Sequence, residues 1–446
     1  MFRRFMLHAT QSLVSIGCIT GVSVTRQSAV RVRAGGRNQV EIRCTKLKTN
    51  SEATLMEPFP HQSQNKELRS AVRELCKKFD LTYWDQHDRD HTFPEEFYNA
   101  FAAAGYLGTT IPEEYGGGGG SMSDLIAVLE EVGASGGALN ACSSVHTPLL
   151  TVPTLLKYGS ELQRKEFLPQ IAAGRLFVTF GVTEPDAGTD TTMIGTKATP
   201  TSHGYLINGS KVWNSGALRG DKIFLLARTS QPADGQRKGH GLTLFLTDLK
   251  ADTIEINPIP KIGRNAFASC EVFFNDHLVT GDEIVGEVGM GFYHLLDSLN
   301  GERLYLAAEA LGLGRWALEA ASTYAQERVV FSRPIGKNQA VQHPLANSYL
   351  ELLAAAQVVY NAVAECEEHG ASSIGLIANA AKYLSTEASF RAHDAAMQVF
   401  GGYSFAREYH IGRHWIESRL QRIAPINNQM VLNYIAERAL HLSRSY

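Results

Sequence analysis

The run Phe180-Gly-Val-Thr-Glu-Pro-Asp-Ala-Gly-Thr-Asp190 constrains this chain more than any other segment. It packs small residues, hydroxyls, one proline and two glycines into eleven positions. That composition reads as neither helix nor strand. It reads as a loop that exposes backbone N–H groups and hydroxyls to whatever docks against it. About twenty residues later stands Asn208-Gly-Ser-Lys-Val-Trp-Asn-Ser-Gly216. Asn208-Gly209 is a turn signal between one alternating strand, Tyr205-Leu-Ile207, and another, Lys211-Val-Trp213. Trp213 is followed by Asn214 and Ser215, so an indole and two small polar side chains make a wall for a flat aromatic group.

The chain has 446 residues, enough for a large core and two or three domains. Hydrophobic residues are 44% and charged residues 20%, an ordinary globular balance. No apolar run is long enough for a membrane-spanning helix. Charge is unevenly placed. Residues 1–50 hold nine Lys/Arg and one acid, Glu41, while the whole chain is at −3. Arg3, Arg4, Arg26, Arg31, Arg33, Arg37 and Arg43 make this segment read as a cleaved mitochondrial transit peptide. A secretory signal is the rival reading, because Arg3-Arg4 precedes a weakly apolar stretch to Val24; the arginines that continue beyond it favour mitochondria. The acidic remainder argues against nucleic-acid binding. Cys18, Cys44, Cys76, Cys142, Cys270 and Cys366 show no CxxC and no pairing rhythm, which argues against a disulfide scaffold or a zinc site.

Residues 55–178 read as a helical domain. Glu67 to Phe79 is amphipathic, Pro94 opens a helix through Ala104, and Ser123-Asp124 starts another through Val132. The five glycines Gly116–Gly120 between them read as a flexible loop. Residues 179–288 read as a small β domain, with short runs at Tyr205–Val212, Lys222–Arg228, Gly241–Asp248, Thr253–Asn257 and Cys270–Asn275. Residues 289–446 return to helix in four stretches, Leu295–Arg315, Ala317–Val330, Ala340–His369 and Ser373–Gly401, the makings of a four-helix bundle.

The two central runs resemble those of the acyl-CoA dehydrogenase family, and matching segments continue in the family's order from about residue 60 to the end. The resemblance implies an α+β fold of helical, β and helical parts, and FAD as cofactor. It implies that Phe180, Val182, Thr183, Gly188 and Thr189 clasp FAD and that Trp213, Asn214 and Ser215 lie along its ring. Thr189 would also touch substrate. Glu327-Arg-Val-Val-Phe-Ser-Arg-Pro-Ile-Gly336 is similar to a family segment in which Arg328 meets the pyrophosphate and Phe331 the adenine side. Gln339 follows at the family's spacing, and Ser332 replaces the usual glycine. Gln398-Val-Phe-Gly-Gly-Tyr403 resembles the segment whose glutamine and glycines, here Gln398, Gly401 and Gly402, reach the FAD of a neighbouring subunit. A homo-oligomer, a dimer or a dimer of dimers, is therefore implied.

Such an enzyme needs a carboxylate to take the α-proton while hydride leaves the β-carbon. Most of the family places it near the C-terminus, and in the ungapped register set by Arg419 and Ile435-Ala436 that position is Pro425. A subset, including isovaleryl-CoA and long-chain acyl-CoA dehydrogenases, supplies the base from an earlier helix marked Glu-Arg-Leu. Asn300-Gly-Glu-Arg-Leu-Tyr-Leu-Ala-Ala-Glu309 matches it and makes Glu302 the implied base, with Glu309 the alternative two turns on. Asn300 and Arg303 match positions lining the CoA chain, where a guanidinium meets phosphates. Proline lacks an N–H, so Pro425 also removes a donor that typical members aim at the thioester carbonyl. Asn427 and Asn428 replace the family's usual Thr-Ser, Gln429 falls where Glu or Gln is usual, and all three can still donate to flavin oxygens.

The expectation is a soluble mitochondrial matrix enzyme, lacking the C-terminal extension of membrane-associated members. It would oxidise an acyl-CoA to the trans-2-enoyl-CoA and pass electrons to electron-transfer flavoprotein. The lean is to medium or long straight chains, although these residues leave length and branching open. A flavin oxidase or monooxygenase of the same fold, and a silent acyl-CoA-binding protein, are the alternatives.

Overall fold

Seven helices, a seven-stranded sheet and a second set of helices follow one another in the computed structural model, which describes residues 56–444. The basic segment 1–50 lies outside the described residues. The first helices are α1 (Lys66–Cys76), α2 (Leu81–Asp90), α3 (Glu95–Ala103), α4 (Met122–Gly133), α5 (Ala138–Leu149), α6 (Val152–Tyr158) and α7 (Glu161–Ala172). Helix α4 begins with a reciprocal cap: Asp124 N–H donates to Ser121 Oγ, and Ser121 N–H to Asp124 Oδ2. Ser160 and Gln163 repeat the device at α7. The glycines Gly116–Gly120 are not a loose loop. Gly118, Gly119 and Gly120 donate to the carbonyls of Gly108, Ile111 and Thr109. A Cβ on Gly117 would lie 2.0 Å from Ile111 O, so this close approach requires glycine.

The sheet contains β1 (Val178–Gly181), β2 (Lys197–Thr201), β3 (Gly204–Ser215), β4 (Lys222–Arg228), β5 (Leu242–Asp248), β6 (Ile254–Pro258) and β7 (Ser269–Val279). Their order is β1-β4-β2-β3-β7-β6, with β5 on β4. Two expectations change here. Phe180 and Gly181 end strand β1, paired with Phe224 and Leu225, and the loop begins only at Val182. Asn208-Gly209 is not a hairpin turn, because β3 runs unbroken past it. The ladder to β7 instead shifts register there, with Gly209 at φ +145°. A Cβ at Gly209 would meet Thr196 at 2.7 Å, and Asn208 exchanges hydrogen bonds with Asp276 across the irregularity.

The remaining elements are α8 (Gly291–Glu327), a short hairpin of β8 (Val329–Val330) and β9 (Arg333–Pro334), α9 (Gln339–His369), α10 (Gly375–Phe400), α11 (Ile411–Leu420) and α12 (Asn428–Ala439). The two stretches expected as separate helices, Leu295–Arg315 and Ala317–Val330, form the single 37-residue α8 as far as Glu327. No proline or cap interrupts them. The tail Arg328–Val330 leaves the helix for the hairpin. Helices α4 and α8 cross at glycines: a Cβ at Gly312 would lie 2.1 Å from Glu130 O, and one at Gly133 2.5 Å from Glu309 O. Around that crossing lies a buried charge cluster. Arg315 donates to Glu130 and Glu131 at 2.7 and 2.8 Å, Arg69 to Glu131 at 2.8 Å, and Tyr360 to Glu130 at 2.6 Å. It ties α1, α4, α8 and α9 together. Among the described residues no helix is long and apolar enough to cross a membrane.

Candidate active site

The loop after β1 is held by an ion pair that sequence reading missed. Lys211 on β3 is fully buried, and its Nζ donates to Glu184 Oε1 at 2.8 Å and to Val182 O at 3.1 Å. Glu184 in turn accepts from the N–H groups of Gly195 (2.5 Å) and Thr196 (2.9 Å). Burial lowers the lysine to about 8, and the lysine holds the carboxyl below its usual range. Both residues stand in the two runs that drew attention, and their opposite charges were the available signal. With the loop pinned at Val182 and Glu184, Gly188 and Thr189 are left exposed, and their N–H groups have no partner among the described residues.

Trp213 sits at φ +63° where β3 bulges between Lys211 and Asn214. The bulge turns the indole outward, 57% exposed, while Asn214 is buried with an unpaired Nδ2. Ser215 Oγ accepts from Arg264 Nη2 at 2.9 Å, which leaves the serine's own proton free to donate elsewhere. Phe180 and Val182 pack against the core below, and Thr183 O accepts from Val212 N–H.

The loop between α11 and α12 meets this wall. Asn427 caps α12 by accepting from Met430 N–H at 2.9 Å, and its Nδ2 lies 3.5 Å from Thr189 Oγ1. Two residues singled out far apart in sequence thus come together. Gln429 is exposed. Asn428 is not available to a flavin: it is buried, accepts from Lys382 Nζ at 2.7 Å and donates to Glu387 at 2.7 Å. It faces α10 because capping by Asn427 turns the next side chain inward. Lys382 also holds Ile426 O at 2.8 Å and so fixes the loop. Residues 422–430 contain no carboxylate. Pro425 is exposed, and the N–H groups of Ile426 and Asn427 just beyond it are unpaired among the described residues.

Glu302 lies on α8, half-buried, and its carboxylate makes no hydrogen bond among the described residues. Desolvation in the surrounding protein raises its pKa; Arg303 and His146 pull it down and Glu309 pushes it up. Glu309 is fully buried and is engaged by His146 Nδ1 at 2.5 Å, so of the two acids only Glu302 stands open. Arg303 donates to Asn300 Oδ1 at 2.8 Å, and Asn300 donates to Ala371 O at 2.8 Å. The buried Arg303 Nε has no partner. Sequence reading missed His146 and Arg264, which stand among other polar residues in stretches without a distinguishing motif.

The second expected cluster forms separately. Arg328 lies over the ring of Tyr403, with Gly401 and Gly402 lining the same recess. Phe331, at the hairpin tip, is 96% exposed, and Gln339 and Gln398 are exposed. No hydrogen bond or ion pair among the described residues joins this cluster to the Trp213 wall.

The donor set fits FAD. An isoalloxazine ring needs a flat apolar wall and donors at its polar edge. Trp213 supplies the wall, and Ser215, Thr189, Asn427 and the free N–H groups of Gly188 and Thr189 supply the donors. Family models described as the acyl-CoA dehydrogenase N-terminal, middle and C-terminal domains match residues 62–175, 179–277 and 289–440. The acyl-CoA dehydrogenase fadE12 of Mycobacterium bovis is 35% identical over 389 residues, 87% of this chain and 99% of that protein. A solved glutaryl-coenzyme A dehydrogenase in complex with glutaryl-CoA is 30% identical with a TM-score of 0.79, covering 85% of this chain and 96% of its own. A structure described as the electron transferring flavoprotein of Acidaminococcus fermentans is 28% identical with a TM-score of 0.78, covering 87% of this chain and all of its own.

Proposed function

The chain belongs to the acyl-CoA dehydrogenase family, FAD-dependent oxidoreductases, and from that premise we propose that it oxidises an acyl-CoA thioester to the trans-2-enoyl-CoA with Glu302 as base. The observation that carries this reading is the open carboxylate of Glu302, with its raised pKa, in a site whose C-terminal loop offers only Pro425. Bound FAD supplies the acceptor for the β-hydride. Glu302 takes the α-proton, and its raised pKa makes the carboxylate a stronger base for that weak acid. Arg303, oriented by its hydrogen bond from Nη1 to Asn300 Oδ1, carries the positive charge that meets the anionic CoA chain. Ile426 N–H, one residue past Pro425, is a free donor for the thioester oxygen.

In this reading the electrons leave through an electron-transfer flavoprotein, and the enzyme works in the mitochondrial matrix, a placement supported by the basic segment 1–50. The isolation of the Arg328 cluster from the Trp213 wall supports a homo-oligomer in which one subunit's Gln398, Gly401 and Gly402 serve the FAD of its neighbour. Exposed Phe331, Tyr403 and Phe405 give that contact an apolar face.

The test is anaerobic titration of the yellow protein with short, medium, long and branched acyl-CoAs, following the visible flavin band. Bleaching is expected, and Glu302→Gln should slow it about a hundred- to ten-thousand-fold with FAD retained. Equal bleaching by Glu302→Gln would remove the base assignment. A wild-type protein bleached by no thioester would favour the silent binding protein that Pro425 suggests.

A further inference from the structure

The pair His146–Glu309 has no part in the chemistry just described, yet it lies beside the base. Glu302 and Glu309 are seven residues apart on α8, which puts them on one face and about 10 Å apart along the axis. His146 comes from the facing helix α5 and bonds Glu309 through Nδ1. Its other ring nitrogen, Nε2, makes no hydrogen bond and is not among the enclosed unpaired atoms, so it opens onto accessible space although the residue as a whole is only 9% exposed. One turn earlier on α5, Ser143 carries a hydroxyl held by Arg264 Nη1 at 3.2 Å. Ser143, His146 and Glu309 therefore form a polar wall. Ser143 and Glu309 are themselves buried, so His146 Nε2 is the open polar point of this wall, close enough to Glu302 for its charge to act on that carboxyl.

We propose that this wall recognises the acyl group, and that the preferred substrates are acyl-CoAs with a hydroxyl on a carbon distal to the thioester rather than plain alkyl chains. The proposal rests on the reading that an acyl thioester lies against Glu302. An alkyl chain laid along α8 strips water from Nε2 and returns nothing to it. A hydroxyl suits the imidazole in either proton state, donating to the neutral ring and accepting from the cation. Glu309 holds the ring in place from behind. A site built to bond a substrate hydroxyl discriminates strongly against the analogue that lacks it.

The experiment uses FAD-loaded Glu302→Gln protein, so that binding is read without turnover. Calorimetry compares hexanoyl-CoA with hexanoyl-CoAs hydroxylated at the fourth, fifth or terminal carbon. At least one hydroxylated isomer should bind about tenfold tighter or more, and adding His146→Leu should abolish that preference while hexanoyl-CoA binds as well or better. Should His146→Leu lose its FAD, Glu309→Gln replaces it and should reduce the preference several-fold. Equal or tighter binding of hexanoyl-CoA than of every isomer overturns the proposal, as does a preference that survives both substitutions. Anaerobic bleaching of the wild-type protein reads the dehydrogenase assignment separately. Absence of bleaching with the binding preference intact sinks that assignment and leaves the recognition role standing.

Discussion

Ser332 and Phe331 form the two-residue turn of the β8–β9 hairpin, at φ +63° and +50°. A turn with both central residues in the left-handed region favours glycine and asparagine, and neither is present. The strain of a non-glycine residue there is about 1–2 kcal/mol, against about 0.5–1 kcal/mol of extra entropy that glycine loses on folding. Ser332→Gly is therefore expected to stabilise the protein by about 0.5–1 kcal/mol, read as a higher midpoint in urea with unchanged slope. A lower midpoint would mean that the serine hydroxyl has a partner worth more than the strain. Trp213 bears the same backbone strain to a different end, since its bulge presents the indole. Trp213 in strand β3 and Thr189 and Asn427 in loops were singled out in the sequence through the resemblance of their segments to the family, and the fold brings Thr189 and Asn427 together. Lys211, His146 and Arg264 were not legible there, because a polar residue acquires meaning only when the fold shows which buried carboxylate or hydroxyl it meets.

At the level of elements, α5 lacks a cap of its own: its N-cap is Gly137. Glu417 on α11 fills the role from outside, accepting from Leu139 N–H at 2.7 Å, Asn140 N–H at 3.3 Å and Asn140 Nδ2 at 2.9 Å. This contact fixes the start of the helix that carries Ser143 and His146. Glu417→Ala strands buried donors, and about 1–3 kcal/mol of stability should be lost. Because α5 then frays from its beginning, hydrogen exchange should speed up first at Leu139–Ser143. Uniform acceleration across the protein instead would show that Glu417 acts on the whole core and not on α5. Element types were readable from periodicity, as the near match of β4, β5 and β6 shows. Their junctions were less so. The division of α8 into two helices at Trp316 had no proline or cap behind it, and the chain runs through that point as one helix. The hairpin expected at Asn208-Gly209 failed because pairing with β7 offered that segment a longer partner than a turn did.

For the molecule as a whole, two sets of buried titrating groups oppose each other in mildly acidic solution. His393 and His410 are lowered to about 4 by burial, His414 well below its usual value, and His277 and His294 in the same direction. Between the ordinary histidine value of 6.5 and those lowered values the unfolded chain binds protons that the folded chain refuses. Stability present above 6.5 is therefore lost as pH falls. Burial raises Glu302, Glu319 and Glu417, the last to about 7, and these work the other way. The folded chain takes up their protons first, so their contribution grows as pH falls from 7 towards the ordinary value of 4.5. Each uncompensated proton changes stability by about 1.4 kcal/mol per pH unit. The histidines outnumber the raised carboxyls, so the thermal midpoint should fall moderately from pH 6.5 to 4.5. Below that it should fall more steeply, as Glu130, Glu184, Asp221 and Asp297, all lowered, are forced to protonate. Glu417→Gln separates the two sets: an amide oxygen can still cap α5 but takes up no proton. That variant should lose stability more steeply than the wild type between pH 6.5 and 4.5, by up to one proton's worth of slope. A parallel pair of curves would show that Glu417 is ionised across the whole range, held so by the N–H groups it caps.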